Sequence, residues 1–203
     1  MTQLKRRWLY LTITPVVLAA APAAWFIAGR DGKVGAAEAE GDKGGLYIQV
    51  DLSDRRLKMF EADTLVWQYP ISPGTAKYPT PRGTYTVRKM VWNPRWVPPE
   101  SPWARKYTPK PPGHPANPMK VVKIFFKEPV YYIHGTAETG RLGHDASHGC
   151  IRMDPEHVAE VARYIMEHGG QPRSENWFWR VLHFRSEEKP VYLKRPIRMV
   201  VRS

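Results

Sequence analysis

Tyr132-Ile133-His134-Gly135-Thr136 and Ser147-His148-Gly149-Cys150-Ile151-Arg152-Met153 are the two stretches on which the reading of this chain turns. The apolar run from Val130 to Ile133 predicts a buried strand that ends in a histidine. Sixteen residues after His134, past a glycine-containing loop, comes a cysteine preceded by glycine. A thiolate attacks carbonyl carbon, and a nearby histidine can take the thiol proton and later return it to a leaving group. Glycine beside the nucleophile lets a substrate approach the backbone and leaves N–H groups for a developing oxyanion. Cys150 is the only cysteine, so neither an intrachain disulfide nor a Cys-rich zinc site is open to it. Taken alone, a lone cysteine is more often a small buried hydrophobe. Its surroundings are what turn the reading.

Outward from this segment the pattern is mostly that of strands. Leu46, Ile48, Val50 and Leu52 alternate with Tyr47, Gln49 and Asp51, which predicts a half-buried strand. Leu57–Phe60, Leu65–Tyr69, Gly83–Arg88 and Val121–Phe126 read as further strands. Pro70–Pro81 is turn-dense. Asn93–Pro118 is a long loop in which Trp96, Trp103 and Tyr107 alternate with prolines. A loop of that length is usually functional, and it reads as a lid or wall over an extended groove. Asp154-Pro155 opens one convincing helix, with an N-cap and then proline at the first helical position. Val158, Val161, Ala162 and Ile165 form its apolar face, and Gly169-Gly170 ends it. Trp177–Phe184 fits a helix or a strand. Val191–Val201 reads as one or two closing strands interrupted by Pro196. The fold class expected is mainly β with one or two helices, a β-rich α+β domain.

The chain start reads as an export signal. Lys5, Arg6 and Arg7 precede an uncharged stretch from Trp8 to Ala28, long enough to span a bilayer. The positive cluster would remain in the cytoplasm and place the rest outside. The organisation expected is a signal-anchor or signal peptide over 1–28, a flexible linker over 29–45, and one domain over 46–203, with 170–203 as its C-terminal extension. The net charge is +12, and 25 basic against 15 acidic residues follow from Leu46 onward. Such a surface suits nucleic acid, anionic lipid or a carboxylate-rich wall polymer. No base-reading basic helix and no aromatic RNA-binding signature is present, so nucleic acid is not expected as a partner.

The segment 132–153 resembles the signature of the L,D-transpeptidase (YkuD-type) family: His-Gly-Thr, about a dozen residues, then Ser-His-Gly-Cys-Ile-Arg-Met. Pro79-Thr80-Pro81-Arg82-Gly83-Thr84 and Pro112-Gly113 through Asn117-Pro118-Met119 extend the resemblance, which covers roughly Leu46–Gly170. Lys120 departs from it, because relatives commonly carry glycine there. The resemblance implies a mixed β-sandwich or barrel-like core, with Cys150 in a deep cleft beside the Asp154 helix. It also implies a peptidoglycan-modifying enzyme of the periplasm or cell wall, held at the cytoplasmic membrane by its N-terminal segment. Cys150 would be the acyl-accepting nucleophile and His134 its base, with the Gly135 carbonyl orienting the imidazole. Backbone N–H groups around His148, Gly149 and Cys150 would form the oxyanion hole. Ser147, Arg152 and Thr136 match motif positions that bind substrate or shape the pocket. The partners implied are peptidoglycan stem peptides, with a second stem or a lipoprotein as acyl acceptor. No cofactor or metal is implied, a monomer is expected, and carbapenems would acylate Cys150.

Three other readings compete. His148, two residues from Cys150, could itself be the base. His144, Asp145, His148 and Cys150 could bind a metal, although Gly143 and Gly149 argue against the helix that would put both histidines on one face. The domain could also be an L,D-carboxypeptidase, or a peptidoglycan-binding protein without turnover.

Overall fold

Period-two burial builds the frame. In strand β1 (Leu46–Asp51), Leu46, Ile48 and Val50 are buried. β2 (Arg56–Glu61) buries Leu57 and Met59 and pairs antiparallel with both β1 and β3 (Thr64–Pro70). β4 (Gly83–Trp92) buries Val87, Met90 and Trp92. β5 (Lys120–Lys127) buries Val122, Ile124 and Phe126, and β6 (Tyr131–Gly135) buries Ile133. β7 (Ile151–Met153) and β8 (Lys189–Arg202) complete a single eight-stranded sheet in the order β3-β2-β1-β8-β4-β5-β6-β7. The β1–β8 and β6–β7 pairs are parallel and the rest antiparallel. This computed structural model describes residues 45–203, so the segments read as export signal and tether lie, but for Gly45, outside the described residues.

The sheet curls until its two edges meet. β3 and β7 are those edges, and Ser72, just beyond β3, exchanges two backbone hydrogen bonds of 2.9 Å with Arg152 of β7. The result is a nearly closed, barrel-like sheet that leaves little free edge.

Two helices cover it. α1 (Pro155–His168) starts where the Asp154 carboxylate accepts the Glu156 N–H at 2.8 Å. It ends in a Schellman turn: Gly170 N–H donates to Glu167 and Gln171 N–H to Met166, with Gly170 at φ +73°. Val158, Val161, Ala162, Ile165 and Met166 pack against the core face of the sheet. The ambiguous tail forms α2 (Glu175–His183), capped by Ser174, and Trp177 and Phe178 meet Trp92 edge-on. Burial of Phe178 and Val181, three apart, selects helix over strand. Among the described residues no helix is long and apolar enough to cross a membrane.

Several boundaries differ from the sequence reading. β4 runs on to Trp92, because Met90 and Trp92 still pair with Val191 and Lys189 of β8. β8 is one strand in spite of Pro196. The Lys194 and Arg195 N–H groups turn aside to Gly169 O, and pairing with β4 shifts register there before resuming at Ile197. β7, three residues long, is too short for periodicity to reveal.

Candidate active site

The alternation of β5, β6 and β7 separates core from chemistry. Val122, Ile124, Ile133, Ile151 and Met153 face α1 and the core. The opposite face carries Lys123 and Phe125, Tyr132 and His134, then Cys150 just before β7 and Arg152 within it; all six line one cavity of about 810 Å³. Register enforces the grouping: His134 is opposite Lys123 on one side and Arg152 on the other. No α1 residue lines the cavity, so the helix lies behind the sheet rather than beside the cleft, which corrects the expectation from the sequence.

His134 is 3 % exposed, and its Nδ1–H donates to the Gly135 carbonyl at 2.8 Å. A carbonyl can only accept, so the proton sits on Nδ1 and the Nε2 lone pair is left as a base. Burial, followed by the neighbouring charges of Arg152 and Lys123, holds the imidazole down at about 4 against the opposing bond to Gly135. Cys150 is half-buried, with Sγ 3.5 Å from the Val130 carbonyl. Burial pushes its thiol up, partly offset by Tyr132 and by the charges of Lys123 and Arg152. Both directions favour a neutral thiol and a neutral imidazole. Alkylation of Cys150 by iodoacetamide should therefore be slow at neutral pH and still rising above about pH 9. A plateau reached by about pH 6 would indicate a thiolate–imidazolium pair instead.

The loop before Cys150 is held from inside. Ser147 is buried, and its hydroxyl donates to the Cys150 carbonyl and accepts the Gly149 N–H at 3.0 Å. The Gly149 N–H is thus occupied. Of the three groups expected around an oxyanion, those of His148 and Cys150 are without a hydrogen-bond partner among the described residues. Gly149 has φ +106°, and a Cβ there would meet the Tyr131 ring at 2.8 Å. Thr136 is buried and lines the cavity; its N–H donates to Met153 O and its hydroxyl accepts the Glu138 N–H. Arg152 pairs with Glu138 at 3.0 Å.

The two histidines differ sharply in setting. His148 stacks on Trp103, at 3.9 Å and 18°, and meets the Tyr78 ring at a tilt, 4.6 Å and 43°. It fastens the proline-rich loop to the cysteine loop. That loop, held by paired Trp96–Lys110 backbone bonds and by the Asn117 amide, forms one wall of the cavity. Of the residues weighed as metal ligands, Asp145 pairs with Arg55 at 2.8 Å and His148 is taken up by stacking.

The model of the YkuD family, the L,D-transpeptidase catalytic domain, matches residues 45–191. This chain belongs to the L,D-transpeptidase catalytic domain family. It is 30% identical over 118 residues to a curated Bacillus licheniformis protein named for the L,D-transpeptidase YkuD, a match covering 58% of this chain and 59% of that protein. It is 34% identical over 94 residues to an L,D-transpeptidase-named reading frame of Fuscovulum blasticum, covering 46% of this chain and 50% of that protein. The chain thus spans between half and six tenths of the length of these curated relatives. Solved L,D-transpeptidases from Mycobacterium smegmatis (18% identity, TM-score 0.50, 78% of this chain and 58% of that one) and Enterococcus faecium (16%, 0.50, 78% and 50%) share the fold.

Within this L,D-transpeptidase domain, three contributors to the site were not singled out from sequence. Tyr132 packs edge-on to Phe125 and His134. Lys123 sits over the Tyr132 ring. Ile71–Thr75 runs beside the cysteine loop, through Thr75 N–H to Ser147 O and Ala146 and Ser147 N–H to Pro73 O. The signal for Lys123 was present: it is the lone charge inside the apolar run Val121–Phe126.

Proposed function

We propose that this domain is a cysteine acyltransferase on peptidoglycan stem peptides. The observation that carries the reading is the His134 Nδ1–H bond to Gly135 O, which presents Nε2 as a base on the sheet face that Cys150 shares. Cys150 Sγ attacks the carbonyl of the third, diamino-acid residue of a tetrapeptide stem while its proton passes to His134 Nε2. The tetrahedral oxyanion is met by the N–H groups of His148 and Cys150. The C–N bond breaks, His134 returns the proton to the departing nitrogen, D-alanine leaves and a thioester remains. An acceptor amine then attacks the thioester, an amide forms, and Sγ is released and reprotonated through His134. Starting from a neutral pair means that charge develops only as the bond forms.

The acceptor amine belongs to a second stem in crosslinking or to a lipoprotein in wall anchoring. Water in its place makes the same domain an L,D-carboxypeptidase. Lys5, Arg6 and Arg7 ahead of the uncharged Trp8–Ala28 stretch support a domain held outside the cytoplasmic membrane. Incubation with purified disaccharide-tetrapeptide, followed by mass spectrometry, tests the reading. Free D-alanine should appear together with a crosslinked dimer, or with a tripeptide if water is the acceptor. Unchanged tetrapeptide would mean that the domain only binds the wall.

A further inference from the structure

Lys123 stands one strand from His134 as its direct partner across β5 and β6, so both side chains rise on the cavity face. Its Nζ lies 5.1 Å from the centre of the Tyr132 ring and donates to the Arg95 carbonyl at 2.8 Å. The two arginines lining the cavity are already paired with carboxylates. Arg152 pairs with Glu138 and Arg95 with Glu188, at 3.0 and 2.7 Å. Lys110 and Lys120, like Lys123, have only a neutral acceptor, the Thr108 hydroxyl and the Pro115 carbonyl, but Lys123 alone of the three is the register partner of His134. Among the described residues no carboxylate comes within 4.0 Å of Lys123, and Glu188, whose charge reaches it, is held by Arg95. A half-buried ammonium with one neutral acceptor is short of a counter-charge.

We infer that Lys123 is an anion subsite that takes the free α-carboxylate of the residue leaving the donor stem. This rests on the acyl-transfer reading above. In that reaction His134 delivers its proton to the departing nitrogen. The α-carboxylate is two bonds from that nitrogen, and Lys123 is the neighbouring side chain on the same face. The subsite makes a terminal carboxylate part of donor recognition, so the enzyme reads the end of the stem as well as the scissile bond. Tyr132, under the ammonium and beside His134, keeps the lysine over the cavity.

The test compares three synthetic disaccharide-tetrapeptide donors: unmodified, amidated at the terminal carboxylate, and amidated instead at the diamino-acid carboxylate. Each is run with wild type, Lys123→Met and Lys123→Arg, and release of the terminal residue gives kcat and KM. With wild type, terminal amidation should lower kcat/KM by about ten- to a hundredfold, chiefly through KM. Lys123→Met should show the same loss on the unmodified donor and no further loss on amidation, and Lys123→Arg should restore discrimination. Lys123→Met that loses all donors equally, or still discriminates the terminal amide as wild type does, overturns the inference. So does a wild type sensitive only to the diamino-acid carboxylate. A wild type that processes none of the donors overturns the acyl-transfer reading itself, a different result from one that processes all three alike.

Discussion

His134→Ala is expected to lower the rate of Cys150 acylation by about a thousandfold, whereas His148→Ala costs about tenfold or less. His134 holds its proton on Nδ1 against Gly135 and offers Nε2 on the face that Cys150 shares, so removing it removes the base. His148→Ala gives up the stack on Trp103 and the tilted contact with Tyr78, which loosens the proline-rich wall but leaves the proton path intact. Pre-steady-state release of D-alanine by each variant makes the comparison. A greater loss from His148→Ala would move the base to His148. The pH profile carries the same assignment. A base must be neutral to act, and His134 is held at about 4, so wild-type acylation should persist below the ordinary imidazole range and fall only as pH drops through about 4. An acid limb near 6.5 would point to an exposed imidazole.

Gly74→Ala is the substitution with the second large effect. A Cβ at Gly74 would lie 2.1 Å from the Tyr78 carbonyl oxygen, 2.7 Å from Thr80 N and 2.9 Å from Gly149 Cα. All three are backbone atoms, so nothing can swing aside. Relief requires the Gly74–Thr80 turn to open, breaking the Gly74 N–H bond to the Thr80 hydroxyl, and to draw back from Gly149, which strains the Thr75–Ser147 and Pro73–Ser147 bonds. The expected cost is about 3 kcal/mol, with Tm lower by about 6–12 °C and acylation reduced in parallel. Gly140→Ala is the control, because a Cβ there meets nothing within 4 Å. A Gly74→Ala protein with wild-type Tm and activity would show that this segment does not hold the loop.

The parts of the fold legible in the sequence are those with a local physical signature. β1 announced itself by alternation, α1 by Asp154-Pro155 and Gly169-Gly170, and both ends of α1 lie close to where those residues placed them. The motif placed His134 and Cys150 in neighbouring segments, and the structure puts both on one cavity wall. The barrel-like core came from the family resemblance alone, because the Ser72–Arg152 pairing that closes it joins residues eighty apart through backbone groups that every residue carries. Gly74 went unremarked for a similar reason: its need for a bare Cα comes from Tyr78, Thr80 and Gly149 together. The side of the sheet on which α1 lies follows from tertiary packing, and motif order does not encode it. The occupied Gly149 N–H depends on where the Ser147 hydroxyl points, which sequence does not specify.

If Cys150 accepts the acyl group, a carbapenem should leave its mark on that residue, and intact mass after incubation with the drug reads this out. The expected result is a single covalent adduct on the wild type, located to Cys150 by peptide mapping and absent from Cys150→Ala. No adduct on the wild type, or an equal adduct on Cys150→Ala, would contradict it.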